Sequence, residues 1–224
     1  MVANIIIKNS VVAIGNFDGI HKGHQKIFQL GKAIAKKSQK KFGVITFSPL
    51  PHEFFQKNKK IIRLTRDDLK NDLLKKNTIN FVYTCKFNKA FSMTTAENFI
   101  KKILVNRLSV SHVLVGKNFR FGNKRKGNIA LLKKLGKVHN YKVTDLTLSR
   151  EKKIRISSTR VRRAIEKGNM ELATLLLGRN WSIKEKVIPG RKIGRELGFR
   201  TANIEIKKNI SPKTGVYVVK VRIK

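Results

Sequence analysis

Residues 11–24 read Val-Val-Ala-Ile-Gly-Asn-Phe-Asp-Gly-Ile-His-Lys-Gly-His and contain the first strong structural signal of the chain. The apolar, β-branched run at 11–14 is typical of a buried strand. Gly15 and Gly19 then bracket a predicted tight turn, and apolar residues at helical spacing follow from Ile27. A strand, a glycine-rich turn and a helix start in this order predict an anion site, because the free N–H groups and the dipole of a helix N-terminus both favour negative charge.

Two histidines lie at the predicted helix start. His21 and His24 are three residues apart, so a helical turn would project both rings to the same side. Imidazoles there can donate hydrogen bonds to phosphate oxygens, and Gly23 leaves room for a phosphate to approach the backbone. Surface positions or half of a metal site are the alternatives. A zinc site would require further ligands, whereas the single cysteine, Cys85, and the other histidines show no metal spacing.

The chain is strongly basic. Its 224 residues include 51 Lys+Arg against 13 Asp+Glu, a formal net charge of +38. One interpretation is a nucleic-acid-binding protein. The other is a lysine-biased composition, which the even spread of lysines beside many Ile and Asn residues favours. Both predict nonspecific polyanion binding that falls steeply with salt, and the positive field would help to gather anionic substrates.

Nothing in the sequence indicates a membrane or secretory segment. No apolar run is long enough to span a bilayer, and the first residues, Met-Val-Ala-Asn-Ile-Ile-Ile-Lys, lack the basic and apolar regions of a signal peptide. One cysteine excludes an internal disulfide, which fits a reducing compartment. We therefore expect a cytoplasmic protein of one or two domains.

Strand-like and helix-like segments alternate along residues 11–146. This alternation predicts an α/β fold with a parallel sheet covered on both faces. Thr65-x-x-Asp68 and Thr94-x-x-Glu97 resemble capping boxes and predict helix starts. A glycine-bracketed basic loop at 116–127 follows a strand, where ligand loops of open α/β sheets lie.

A proline-rich segment follows the second predicted strand. Two prolines within 48–51 predict an irregular loop. Phe54 and Phe55 come next, and they either stack on a planar ligand or fill the core.

A second anion site is predicted near residue 160. Ser157, Ser158 and Thr159 precede an apolar helical pattern and predict an N-cap. Arg160, Arg162 and Arg163 crowd the first turns, where positive charge opposes the helix dipole unless an anion lies between them. An ordinary capped helix with solvated arginines is the alternative.

The sequence texture changes after Trp181. Period-two segments separated by Gly and Pro appear, with a strand predicted at 216–223, and helical periodicity disappears. We predict two domains, 1–180 and 181–224, the second being too short to form a β core by itself.

Five stretches together resemble the bacterial riboflavin kinase/FAD synthetase family. They are residues 15–24, 47–55, 115–122, 155–162 and 194–204. The resemblance implies a Rossmann-like nucleotidyltransferase domain over 1–180, which transfers AMP from ATP to FMN and yields FAD and pyrophosphate. It also implies an incomplete antiparallel β-barrel, similar to riboflavin kinase, over 181–224. Nucleotides and flavins, including riboflavin, are the implied partners. Mg²⁺ is the implied ion, held by phosphate oxygens and water rather than by a dedicated protein site in the first domain.

The same resemblance assigns roles to individual residues. The catalytic residues are His21, His24, Asn118 and Arg162. The ATP-binding residues are Gly15, Phe17, Asp18, Gly23, Ser157, Ser158 and Thr159. In the kinase-like part, the nucleotide or metal residues are Thr201 and Asn203. Residues 49–55 are expected near the flavin.

The C-terminal part departs from the family pattern. Arg200 replaces the proline of Gly-Phe-Pro-Thr-Ala-Asn, and Pro189 occupies a position where histidine is common. The kinase domain of the family also continues further and carries its catalytic glutamate there. We therefore expect no riboflavin phosphorylation by this chain alone. The alternatives to an FMN adenylyltransferase are a related nucleotidyltransferase, a nucleic-acid-binding protein and an inactive relic.

Overall fold

A five-stranded parallel sheet lies at the centre of the computed structural model. The structure describes residues 7–55, 63–146, 150–151, 154–190, 198–199, 201–206 and 209–223. The strands are β1 (Val11–Ile14), β2 (Phe42–Ser48), β3 (Phe81–Lys86), β4 (His112–Gly116) and β5 (Lys142–Leu146). Their order is β3-β2-β1-β4-β5, and each neighbouring pair is parallel. Parallel neighbours require crossover connections, which helices supply. The predicted α/β fold is confirmed.

Helices connect the strands and follow the sheet. They are α1 (Lys22–Lys37), α2 (Pro51–Phe55), α3 (Asp67–Lys76), α4 (Lys89–Ser92), α5 (Ala96–Phe99), α6 (Ile129–Val138), α7 (Ser158–Glu166) and α8 (Met170–Leu177). The helix that begins with α5 continues in π form over Ile100–Arg107, and Asn123–Arg125 form a 3₁₀ turn.

The central strand β1 is buried on both faces. Val12 and Ile14 belong to an apolar cluster that includes residues of α5, the π segment and α6. Val11 and Ala13 belong to a second cluster with residues of α1 and α3. Because successive strand side chains point to opposite faces, helices cover both sides of the sheet, as parallel sheets require.

The segment after β2 differs from its prediction. The irregular loop predicted at 48–51 is wrong at its last residue, because α2 begins at Pro51. Proline suits the first helical position, where its missing N–H group would have no intrahelical partner.

The capping box predicted at 65–68 does not form. The N-cap residue of α3 is Arg66, whose side chain makes no capping bond. Thr65 Oγ1 instead accepts a hydrogen bond from the N–H of Gly19 at 3.1 Å. This threonine therefore stabilises the turn after β1 rather than a helix start.

The second predicted capping box is displaced by one residue. Thr95, not Thr94, caps α5, and its Oγ1 accepts a hydrogen bond from the N–H of Asn98 at 3.1 Å. The helix start itself was predicted correctly to within one turn.

Two short antiparallel pairs follow the central sheet. β6 (Arg150–Glu151) pairs with β7 (Ile154–Arg155), and β8 (Val187–Ile188) pairs with β9 (Asn203–Ile204). The small second pair agrees with the expected incomplete barrel.

The strand predicted at 216–223 is wrong. The structure assigns no strand there, and Val218 is 105% exposed. A strand needs a hydrogen-bonded neighbour, and none lies beside this segment within the described ranges.

A third apolar cluster lies outside the sheet. It joins Leu64 and Ile156 to residues of α7 and α8 and to Ile210, and Trp181 packs against it. The chain after α8 therefore contacts the first part of the molecule. Among the described residues, no helix is long and apolar enough to cross a membrane.

Candidate active site

The turn between β1 and α1 lies at the carboxyl edge of the sheet, where β1 borders both β2 and β4. Strand order reverses there, which is where ligands bind in open α/β sheets. Phe17, Gly19 and Ile20 have φ values of 48°, 83° and 40°. Positive φ is uncommon for residues other than glycine and concentrates at functional sites. Burial of the Phe17 and Ile20 side chains holds the turn in this shape.

His21 is the N-cap residue of α1. Its Nδ1 atom accepts a hydrogen bond from the backbone N–H of His24 at 3.3 Å. In the neutral ring the proton therefore lies on Nε2, which is the atom left to donate. The His21 and His24 rings stack with centroids 3.7 Å apart and planes inclined by 15°.

Both histidine rings are neutral at pH 7. Burial lowers the pKa of His21 to about 4, and the positive charges of Arg179 and Arg162 act in the same direction. Burial, followed by the influence of His21, lowers the pKa of His24 well below its usual range. His24 is partly exposed as a residue, but its Nδ1 atom is buried and has no hydrogen-bond partner in the described part of the chain. A buried polar atom without a partner is unusual and fits a site built for a ligand.

The carboxylate of Asp18 connects three segments of the site. It is 3% exposed and accepts hydrogen bonds from the N–H groups of Leu64 and Thr65, each at 3.1 Å. It also forms an ion pair with Arg162 of α7. Buried charges require such partners, so this residue, expected to bind ATP, has its carboxylate directed at protein groups.

The start of α7 lies against the same turn. Ser157 is its N-cap residue and accepts from the N–H of Arg160 at 3.3 Å. The Ser158 hydroxyl donates to the carbonyl of Asp18 at 2.9 Å, and Thr159 is exposed. The two helix starts predicted separately from the sequence are thus brought together.

Gly23 marks how closely the two helix starts approach. A Cβ atom there would lie 3.1 Å from the His21 ring and 3.7 Å from Ile156, which directly precedes the α7 cap. The space around Gly15 is similarly restricted, since an added Cβ atom would lie 3.1 Å from the Phe17 ring.

Arg179 is a site residue that the sequence analysis missed. Its guanidinium donates to the carbonyls of Gly19 at 2.7 Å and Ile20 at 3.2 Å. Burial lowers the pKa of Arg179 to about 10, so it remains a cation at pH 7. It follows Gly178, whose φ of 70° ends α8, and no local pattern indicates that it contacts a turn 160 residues away.

Asn118 lies in the turn directly after β4 and is exposed. A hydrogen bond of 2.8 Å from the N–H of Phe119 to the carbonyl of Gly116 closes this turn. Because β4 is the parallel neighbour of β1, Asn118 lies at the same edge of the sheet as the histidine pair.

An aromatic group lies beyond β2. Phe54 and Phe55 meet Phe87 edge-on, with ring centroids 5.4 and 5.9 Å apart. Phe54 is partly buried, whereas Phe55 is 66% exposed. The sequence left open whether these two rings fill the core or stack on a planar ligand. Core filling suits Phe54 alone, whereas Phe55 presents an open ring face.

The kinase-like residues lie elsewhere. Thr201 and Asn203 are exposed on and beside β9, and no contact in the described ranges brings them to the histidine pair. Gly194 and Arg200 of the same motif lie outside the described residues.

The described residues contain no cluster of three or more His, Cys, Asp or Glu side chains that could hold a metal ion. At the turn itself, the Asp18 carboxylate is directed at Leu64, Thr65 and Arg162.

A parallel sheet of order 3-2-1-4-5 with a turn and a helix start at its switch point defines a Rossmann-like nucleotide-binding domain. Comparison with known proteins agrees: a family model for FAD synthetase matches residues 4–160, and one for riboflavin kinase matches residues 177–224. The chain belongs to the FAD synthetase family, which confirms the resemblance inferred from its motifs.

Named relatives support this assignment. A protein of Buchnera aphidicola subsp. Schizaphis graminum, named bifunctional riboflavin kinase/FMN adenylyltransferase, is 45% identical over 217 residues, covering 96% of this chain and 70% of the relative. The protein of that name from Escherichia coli K12 is 39% identical over 211 residues, covering 94% and 67%. A solved structure titled as a macrolide-efflux protein from Streptococcus pneumoniae has a TM-score of 0.82 and 28% identity, covering 97% and 72%.

Proposed function

We propose that this chain transfers the adenylyl group of ATP to FMN, forming FAD and pyrophosphate. The observation that carries the proposal is the meeting of two helix starts, α1 and α7, at the turn that bears a stacked pair of neutral histidines. Membership of the FAD synthetase family and the names of the relatives support it.

In this reaction a phosphate oxygen of FMN attacks the α-phosphorus of ATP. The bond from that phosphorus to the oxygen bridging the α- and β-phosphates breaks, and the electron pair leaves with pyrophosphate. The nucleophile is already an anion, so no general base is needed. The protein contributes in-line positioning and hydrogen bonds to developing charge.

Each proposed residue has one task. His21 Nε2–H and the His24 ring donate to ATP phosphate oxygens near the transferred phosphorus. Arg162 binds the β- and γ-phosphates from α7. The remaining proposed contacts to the triphosphate come from Gly23, Ser157, Ser158 and Thr159. Gly15 and Phe17 shape the adenosine side, and Asn118 approaches from the β4 turn.

Mg²⁺ enters the proposal as part of the substrate, bound to ATP. Asp18 lies in the turn that precedes the histidine pair, and its carboxylate oxygens accept from protein donors. We therefore expect the ion to be held by phosphate oxygens and water, the arrangement that Mg²⁺ commonly adopts with nucleotides.

We further propose that residues 1–180 form the nucleotidyltransferase domain and that residues 181–224 belong to a riboflavin-kinase-like part. The limits of the two family matches support a division near residue 180. Thr201 and Asn203 are the proposed nucleotide or metal residues of the second part. A cytoplasmic location remains a prediction.

One assay tests the main proposal. The purified chain is incubated with Mg-ATP and either FMN or riboflavin, and FAD, FMN and pyrophosphate are quantified. FAD and pyrophosphate in equal amounts from FMN are expected. A folded chain that forms no FAD from FMN contradicts the proposal. The riboflavin reaction measures separately whether the second part phosphorylates riboflavin.

A further inference from the structure

The chain after α8 holds one short loop of the first part of the molecule. We define the support segment as residues 181–185 and 209–210, and the support loop as residues 63–66. Trp181 Nε1–H donates to the carbonyl of Leu64 at 3.2 Å. The N–H of Ile210 donates to the carbonyl of Arg63 at 2.9 Å.

An ion pair strengthens the same contact. The Arg66 guanidinium donates to both carboxylate oxygens of Glu185 at 2.7 Å, and the Asn209 amide donates to the same carboxylate at 3.1 Å. Asn209 and Ile210 are 4% and 1% exposed. Buried hydrogen bonds and charge-assisted pairs fix geometry better than exposed ones.

The other side of the support loop holds the catalytic turn. The N–H groups of Leu64 and Thr65 donate to the Asp18 carboxylate, and Thr65 Oγ1 accepts from the N–H of Gly19. Asp18 in turn pairs with Arg162. The support loop therefore lies between the support segment and the turn at these contacts.

We infer that the support segment positions Asp18 and Arg162 for adenylyl transfer, with Trp181 and Glu185 as its positioning residues. This inference rests on the proposed function. Both residues lie within the range matched by the riboflavin kinase model. The kinase-like part thus contributes to the geometry of the adenylyltransferase site through the support loop.

Two conservative variants test the two side-chain contacts separately. Trp181→Phe keeps an aromatic ring but removes the N–H donor to Leu64, and Glu185→Gln keeps the side-chain shape but removes the charge that binds Arg66. Loss of one hydrogen bond costs about 0.5–1.5 kcal/mol, which corresponds to about 2- to 12-fold in rate. We expect kcat for FAD formation to fall within that range in each variant.

Lys184→Met is the matched control. Lys184 lies in the same segment and pairs with Asp72 at 3.1 Å on the surface, away from the support loop. The Lys184→Met variant should therefore have the wild-type kcat for FAD formation. Unfolding midpoints of all variants are measured first, and rates are compared well below the lowest midpoint.

A double-mutant cycle separates positioning from general destabilisation. If Glu185 acts through Asp18, the effects of Glu185→Gln and Asp18→Asn on kcat are not additive. Additive effects on kcat overturn the inference, and so does a wild-type kcat in both Trp181→Phe and Glu185→Gln. In either case the proposed function stands as long as the wild-type chain forms FAD. A wild-type chain that forms no FAD overturns the proposed function itself, and with it the inference.

Discussion

At the scale of single residues, His24 combines a buried, unpartnered ring nitrogen with a proposed role in adenylyl transfer. Its Nδ1 atom has no partner among the described residues, and its ring stacks on His21. We predict that His24→Ala lowers kcat for FAD formation on the order of 100-fold, the typical cost of losing a donor to developing charge. The KM for FMN should change little, because the lost interaction is made in the transition state. Steady-state kinetics with FMN varied at saturating ATP measures both.

His139→Ala is the control for this variant. His139 is the C-cap residue of α6 and lies in the short connection to β5, at the amino edge of the sheet, so its removal should leave turnover at the wild-type level. Unchanged turnover in His24→Ala would remove His24 from the mechanism.

His21 makes folding stability depend on pH. Burial lowers its pKa from 6.5 to about 4, so between these values the unfolded chain binds a proton that the folded chain does not. The free energy of unfolding therefore keeps its full value above pH 6.5. It decreases as the pH falls from 6.5 toward 4, by up to about 1.4 kcal/mol per pH unit. Urea unfolding at pH 7, 6 and 5 should therefore show a shallower pH dependence in His21→Gln than in wild type. Identical slopes would contradict the neutral, buried state of this ring.

At the scale of elements, the N-terminus of α7 can be a phosphate site or merely a capped helix. Ser157→Ala should lower the free energy of unfolding by about 1 kcal/mol in either case, since the cap is lost. Ser157→Asp separates the two possibilities. Aspartate caps well and suits the helix dipole, so stability should be retained, while its charge repels the triphosphate and raises the KM for ATP. Denaturant unfolding and ATP kinetics are compared for both variants, and an unchanged KM in Ser157→Asp would favour the plain cap.

The elements that sequence predicts well are those whose signals are local. The strand pattern of β1 and the helical spacing of α1 depend only on neighbouring side chains. The capping box at Thr65 failed because its hydroxyl bonds to Gly19, 46 residues away. The predicted strand at 216–223 failed because a strand also needs a partner, which periodicity alone does not reveal.

At the scale of the whole molecule, the candidate site also divides into residues with local sequence signals and residues placed by long-range contacts. The histidine pair and the Ser157–Thr159 cap were predicted because each lies in a recognisable helix start. Arg179 was missed because its contacts with Gly19 and Ile20 join distant parts of the chain. Its only local feature is a position after a helix-ending glycine, which is common to many helices.

Net charge is also a property of the whole molecule, and it gives the last prediction. A formal charge of +38 should bind any polyanion at low salt, because counterion release is independent of sequence. We predict similar affinities for two single-stranded RNAs of equal length and unrelated sequence at 50 mM salt, measured by fluorescence anisotropy. With about six phosphate contacts to a single strand, affinity should fall roughly 300-fold by 200 mM salt. Adding RNA at 200 mM salt should then leave FAD formation unchanged. Binding that persists at several hundred millimolar salt and distinguishes the two sequences would instead favour a nucleic-acid-binding role, since base contacts rather than phosphate contacts carry specificity.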